Sequence, residues 1–158
     1  MKRLIAGLIS HALVLLVGVA LGIYLLPILT APAAPTIAEL GAAADAAVFR
    51  GTFKRELKDS DALHWGEGRL DVGRRAITLT GRIAPGPDYR LYLSPEFVET
   101  EADFERLRPR MAQVGPVKTF EHFIVPVPPS IDVAQYTTAI VWCESFGQFI
   151  TAAQYREP

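Results

Sequence analysis

The sequence predicts an all-β domain, a β-sandwich or barrel-like fold of about seven short strands with one short inserted helix, preceded by an N-terminal transmembrane helix. Three observations lead there. The first 30 residues hold one long apolar run. Beyond residue 47, short stretches that alternate apolar and polar residues are separated by Gly and Pro. One segment, Thr100 to Arg108, breaks that alternation by placing acids first and bases later.

The apolar run comes first in the chain. No Asp, Glu, Lys or Arg lies between Arg3 and Glu39. Built as a helix at 1.5 Å per residue, Leu4 to Thr30 reaches about 40 Å, more than the roughly 30 Å hydrocarbon core, so it spans with tilt. Lys2 and Arg3 flank one end, and the next basic residue is Arg50. This asymmetry predicts a single pass in the cell membrane, with the N-terminus cytoplasmic and the domain periplasmic or extracellular. The rival reading is a cleaved signal peptide, with Ala31-Pro32-Ala33 as the small–x–small site. The length of the run and Pro32 within the site favour an uncleaved signal-anchor. Gly18 and Gly22 form a G-x-x-x-G, which suits helix pairing but is also common in any membrane helix. His11 lies within the span and has no evident partner.

Residues 31–47 read as a stalk, in which Thr36 and Glu39 form a capping box for a short Ala-rich helix. The β-domain follows over 48–155. Phe49, Gly51 and Phe53 share one strand face, as do Leu70 with Val72 and Ile77 with Leu79. Ala84-Pro85-Gly86-Pro87-Asp88 is a turn on composition. Tyr89, Leu91 and Leu93 alternate again, Phe120 to Val125 is another run, and Thr137 to Phe146 and Phe149 to Ala152 close the set. Thr100 to Arg108 is read as a surface helix whose charge order suits the helix dipole, stopped by Pro109.

Composition narrows the function. The chain has 158 residues, with 16 Lys+Arg against 17 Asp+Glu. Without Lys2 and Arg3, the exported part carries 14 basic and 17 acidic side chains, a net charge of −3. That balance argues against a nucleic-acid partner. Arg outnumbers Lys 12 to 4 and Ala is abundant, in keeping with a GC-rich bacterium. A single cysteine rules out an intrachain disulfide and a Cys-rich zinc site. There is no C-x-x-C-H, H-E-x-x-H, G-x-S-x-G or P-loop. No metal site is expected, and acid pairs such as Asp59/Asp61 and Glu99/Glu101 read as solvated surface.

What remains is Cys143, in Ala139-Ile140-Val141-Trp142-Cys143-Glu144-Ser145-Phe146. Alternation places Val141, Cys143 and Ser145 on one face and Ile140, Trp142, Glu144 and Phe146 on the other. The plain reading of Cys143 is a buried core thiol. The sharper one is a reactive thiol or cofactor ligand, because an unpaired thiol in an exported protein must be hidden, liganded or used. His64 and His122, the histidines outside the span, are either strand-end residues or partners of that thiol. Trp142 and Trp65 are core aromatics or a ligand wall.

Taken in order, these segments resemble the DM13 domain, the electron-transfer DM13 family. The resemblance starts at Phe49-Arg50-Gly51-Thr52-Phe53 and passes through His64 and Gly68. It sharpens at Gly86-Pro87-Asp88-Tyr89-Arg90-Leu91-Tyr92-Leu93-Ser94, similar to the family's GPD-x-x-x-YLS stretch. Phe123-Ile124-Val125-Pro126, Ile131-Asp132-Val133 and Tyr136 follow, and Trp142-Cys143 stands where the family has its Trp/Tyr-Cys. Phe149 and Ala152-Ala153 resemble the closing Phe-x-x-Ala. Phe123 departs from the pattern, where Tyr is expected, and loses a hydroxyl. The resemblance covers roughly residues 48–155. It implies an extracytoplasmic electron-transfer or redox role. In it Cys143 alone takes the family role, as catalytic thiol or as ligand to a prosthetic group such as haem; the residues of this chain offer Trp142 and His64 as the cofactor-binding candidates beside it. A redox partner protein in the envelope is implied as well.

Two other readings stay open: a non-catalytic β-sandwich that displays loops such as 84–88 and 126–130, with Cys143 as core, and a small-ligand or lipid carrier, which requires a cavity. The residues alone assign no turnover, so whether the chain is an enzyme is left open.

Overall fold

The computed structural model describes residues 1–157. Helix α1, Lys2–Thr30, is long and apolar enough to cross a membrane, and none of its residues is buried. Helix α2, Ile37–Ala44, starts at the expected capping box. The Thr36 hydroxyl accepts from the Glu39 N–H at 3.3 Å, and the Glu39 carboxylate accepts from the Thr36 N–H at 2.7 Å.

Eight strands follow: β1 Ala47–Phe53, β2 Gly66–Gly73, β3 Ala76–Ile83, β4 Tyr89–Ser94, β5 Ala112–Val117, β6 Glu121–Pro126, β7 Thr138–Cys143 and β8 Gln148–Gln154. They form two antiparallel four-stranded sheets, in the orders β1-β2-β3-β6 and β5-β4-β7-β8. This is the all-β sandwich expected. At the edges β1 lies near β8 and β5 near β6, which gives it a flattened-barrel outline. The predicted helix is present as α3, Glu101–Leu107, between β4 and β5. Thr100 caps it by accepting from the Asp103 N–H at 3.1 Å. Arg108–Arg110 form a single 3-10 turn after it.

The strand missed by alternation is β5. Gly115 and Pro116 interrupt its pattern. A proline fits because β5 is an edge strand, where a missing N–H costs no ladder bond.

The main core lies between the sheets. Val72, Ile77, Leu79, Leu91, Phe123 and Val141 are all at most 2% exposed there. Phe123, without the hydroxyl of the expected Tyr, is simply one of these apolar residues. A second core lies on the outer face of the β4–β7–β8 sheet, where α3 covers it with Phe104 and Leu107 over Tyr92, Ile140, Trp142 and Phe149. Trp142 stacks on Phe104, with ring centroids 3.8 Å apart and planes at 7°.

Residues 31–47 are more than a stalk. Helix α2 lies against β2, β3 and β6, with Leu40 only 2% exposed. Under these layers, the Asp71 carboxylate is held between Arg50 Nε at 3.0 Å and Arg69 Nε at 2.9 Å.

Candidate functional site

Cys143 is the last residue of β7, opposite Tyr89 at the start of β4. Strand alternation holds as far as this residue. Ala139, Val141 and Cys143 face the main core, and Ile140 and Trp142 face the second one. After Cys143 the chain turns through residues 144–147 to reach β8, with Gly147 at φ 62°. Glu144 keeps to the Trp142 side, where its carboxylate takes the Tyr92 hydroxyl and lies 2.7 Å from Arg108. Phe146 does not: the turn carries it to the Cys143 side. Strand alternation cannot extend through a turn, so this position differs from the expectation.

Beside Cys143 is a pocket of about 330 Å³. Its walls include Leu63, His64, Tyr89, Phe146 and Ile150, together with the loop Pro85-Gly86-Pro87. Ala20, Ile23 and Tyr24 of α1 close one side. Gly86 is required here, because a Cβ on it would come within 2.3 Å of the Tyr89 hydroxyl. The sequence-predicted residues therefore separate. Cys143 and His64, 79 positions apart in the chain, share one pocket. Trp142 is on the opposite face of the sheet, 1% exposed against Phe104, and lines no part of it. Adjacent strand residues point to opposite faces, so a ligand at Cys143 does not meet the Trp142 ring. His122 lies in the other sheet, on β6, and its Nδ1 accepts from the Gly81 N–H at 3.1 Å. Trp65 is half-buried under the Arg55 guanidinium, 3.7 Å from the ring centroid.

The polar side chains of the pocket are Cys143, His64, Tyr89 and Gln148, the last with its amide donating to the Gly147 carbonyl at 3.4 Å. Cys143 is 3% exposed, and its thiol donates to the Pro87 carbonyl at 3.1 Å. Burial pushes the thiol pKa up, against the pull of the Phe146 and Ser145 backbone N–H groups, and Asp88 and Glu144 push it further up. It is a protonated thiol at neutral pH. His64 is oriented by Asp61. One Asp61 oxygen accepts from the backbone N–H of Leu63 and His64 at 2.7 and 2.8 Å, and the other lies 2.9 Å from His64 Nδ1. The imidazole holds the Asp61 carboxyl below its ordinary pKa. With Nδ1 engaged, Nε2 is the free ring nitrogen. Tyr89 is 3% exposed, and its hydroxyl has no hydrogen bond to any described residue. Burial, then the nearby Cys143, pushes its pKa up, so it is a permanent donor.

Two of these residues were not legible beforehand as site residues. Asp61 reads as a solvated acid unless the Asp-x-x-His spacing is taken as an Asx turn that closes on the histidine. Tyr89 reads as a strand residue, and only the cross-strand register brings it against Cys143. A larger cleft of about 740 Å³ lies elsewhere, lined by charged residues such as Arg50, Lys54, Glu56 and Arg156, with no Cys or His. Among the described residues, no three His, Cys, Asp or Glu side chains converge as a metal site.

The family model described as "Electron transfer DM13" matches residues 53–155, more than half of the chain. The chain belongs to the DM13 family. No curated protein and no solved structure matches it. The matched span begins at the last residue of β1 and takes in every wall of the pocket except those from α1. Haem ligation by the DM13 cysteine requires a thiolate free to reach iron. Here Sγ is committed to the Pro87 carbonyl, and burial favours its protonated form. The residues present do not fit an axial thiolate. They fit a small, largely apolar ligand lying beside a neutral thiol.

Proposed function

We propose that the chain is a membrane-tethered, extracytoplasmic redox module of the DM13 family. Its working site is the pocket shared by Cys143, His64 and Tyr89. Helix α1 is the uncleaved anchor, with its N-terminus in the cytoplasm. The domain outside exchanges electrons with a partner protein in the envelope. One observation carries the reading: Cys143 and His64 line the same apolar pocket, together with Tyr89, whose hydroxyl remains accessible and makes no hydrogen bond to the protein. A hydroxyl left accessible at the wall of an apolar pocket, on a residue otherwise 3% exposed, is a polar anchor for a ligand. Within this site Cys143 is a neutral wall whose polarity and volume set the surroundings of what the pocket holds. His64, braced by Asp61 at Nδ1, keeps Nε2 free for a ligand.

Protein-film voltammetry of the full chain, purified from membranes with its native lipids, tests this. The expected result is a redox couple that shifts or disappears in Cys143→Ala, while circular dichroism stays unchanged. Absence of any couple in the folded parent protein overturns the redox role. In that event the remaining reading is a display module with Cys143 as core, which the 3% exposure of Cys143 favours.

A further inference from the structure

We propose that the Cys143 pocket binds a neutral, carbonyl-bearing ring molecule of the quinone class, taken directly from the lipid bilayer. The inference rests on the redox reading above and names its ligand.

The position of the pocket along α1 is the first argument. From Leu4 to Ile23 the helix rises roughly 30 Å at 1.5 Å per residue, about the thickness of the hydrocarbon core. With Lys2 and Arg3 at the cytoplasmic edge, Ile23 and Tyr24 fall in the outer part of the span: at the outer interface when the helix stands upright, and just below it when the whole run to Thr30 tilts into the bilayer. These two residues, with Ala20, form the α1 side of the pocket. The pocket therefore opens at headgroup level or just beneath it, onto the bilayer. Around it, Leu63 is 58% exposed and Phe146 is 54% exposed. Large apolar side chains clustered at an opening suit contact with lipid better than with water.

The second argument is the polar complement. Tyr89 presents a hydroxyl donor with no protein partner, in a residue that is 3% exposed. A ligand that leaves it unpaired forgoes that bond, and burying an unsatisfied donor is costly. An acyl chain has nothing to offer it; a carbonyl oxygen does. With the His64 proton on Nδ1 toward Asp61, Nε2 is an acceptor. It suits the hydroxyl of a reduced ring. The two groups thus fit the oxidised and the reduced member of one couple.

The third argument is charge. No Lys or Arg lines the pocket. A carboxylate or phosphate headgroup drawn in would be buried without a counter-ion, which is strongly unfavourable. Both members of a quinone couple are neutral. About 330 Å³ is at the lower end for small-molecule sites. It admits a ring headgroup while a hydrocarbon tail stays along α1 in the bilayer.

The full chain in nanodiscs of phosphatidylethanolamine and phosphatidylglycerol provides the test. The probe is decylubiquinone, whose ring is fully substituted and so resists addition of the thiol, and binding is read by quenching of tryptophan fluorescence. Saturable quenching is expected. Tyr89→Phe, which keeps the ring in the core, is expected to weaken binding about 10-fold. Phe146→Ser is expected to weaken it from the bilayer. Quenching that never saturates, or an unchanged affinity in Tyr89→Phe, overturns the proposal. So does displacement of the probe by equimolar oleate, which would make this an acyl-chain site. Voltammetry separates the two claims. A Cys143-dependent couple without quinone binding overturns only the ligand, and quinone binding without a couple overturns only the redox role.

Discussion

At Cys143, two neighbours decide what the thiol can do: the Pro87 carbonyl it donates to, and the apolar walls that keep water from it. Both favour the protonated form, so the native thiol is expected to react slowly with alkylating reagents and quickly after unfolding. The raised pKa also has a consequence for stability. A group that holds its proton more tightly when folded supports the fold fully below its unfolded pKa, about 8.5 for a thiol. That support is lost as pH rises from there through the folded value. Denaturation of the parent chain between pH 8 and about 9.5, below the range where tyrosines ionise, is expected to show falling stability. Cys143→Ala is expected to flatten that limb, and a parallel decline in the variant would show that the thiol is not the cause. Cys143 was legible as the residue to watch because it is the only cysteine in the chain and follows an apolar strand. Its neighbours were not, since Tyr89 and His64 come from strand register and an Asx turn rather than from nearby sequence.

Two short helices close the outer faces of the sandwich, and both were visible in the sequence, one through its capping box and the other through its charge order. Thr36 with Glu39 marks α2, and the acids of 101–105 ahead of the arginines mark α3. Their docking was not visible. Each buries one or two apolar residues, too few for a periodic signal, yet each covers a sheet face. Leu40→Ala is expected to cost about 2–5 kcal/mol and Phe104→Ala about 3–5 kcal/mol, as large-to-small changes at packed sites do. Urea denaturation followed by the fluorescence of Trp65 and Trp142 measures both. A change below about 0.5 kcal/mol for Leu40→Ala, the range of surface substitutions, would mean that α2 is a free stalk after all. Strand β5 teaches the complementary lesson, because Gly115 and Pro116 erase its pattern while an edge position tolerates them.

For the molecule as a whole, the relation between α1 and the domain carries the functional claim. An uncleaved α1 makes the protein integral to the membrane. It is expected to stay with the membrane pellet on extraction at alkaline pH, with Met1 or its neighbours found at the N-terminus by mass spectrometry. Release into the supernatant with a start near Ala33 or Ala34 would identify a cleaved signal instead. It would also remove the α1 wall from the pocket.

The sequence by itself determined the apolar span, the all-β class, the inserted helix and the DM13 membership, and it singled out Cys143 as the candidate site residue. Each of these depends on residues close together in the chain: a continuous apolar run, period-two alternation, a cap, a short motif. Only the tertiary structure decided which residues share the site. It separated Trp142 from Cys143, because neighbouring strand residues face opposite sides of a sheet. It brought in Phe146 through the turn after β7, Tyr89 through pairing of β4 with β7, and His64 through a loop pinned by Asp61. Proximity between residues far apart in the chain is set by pairing and packing, which local periodicity does not encode.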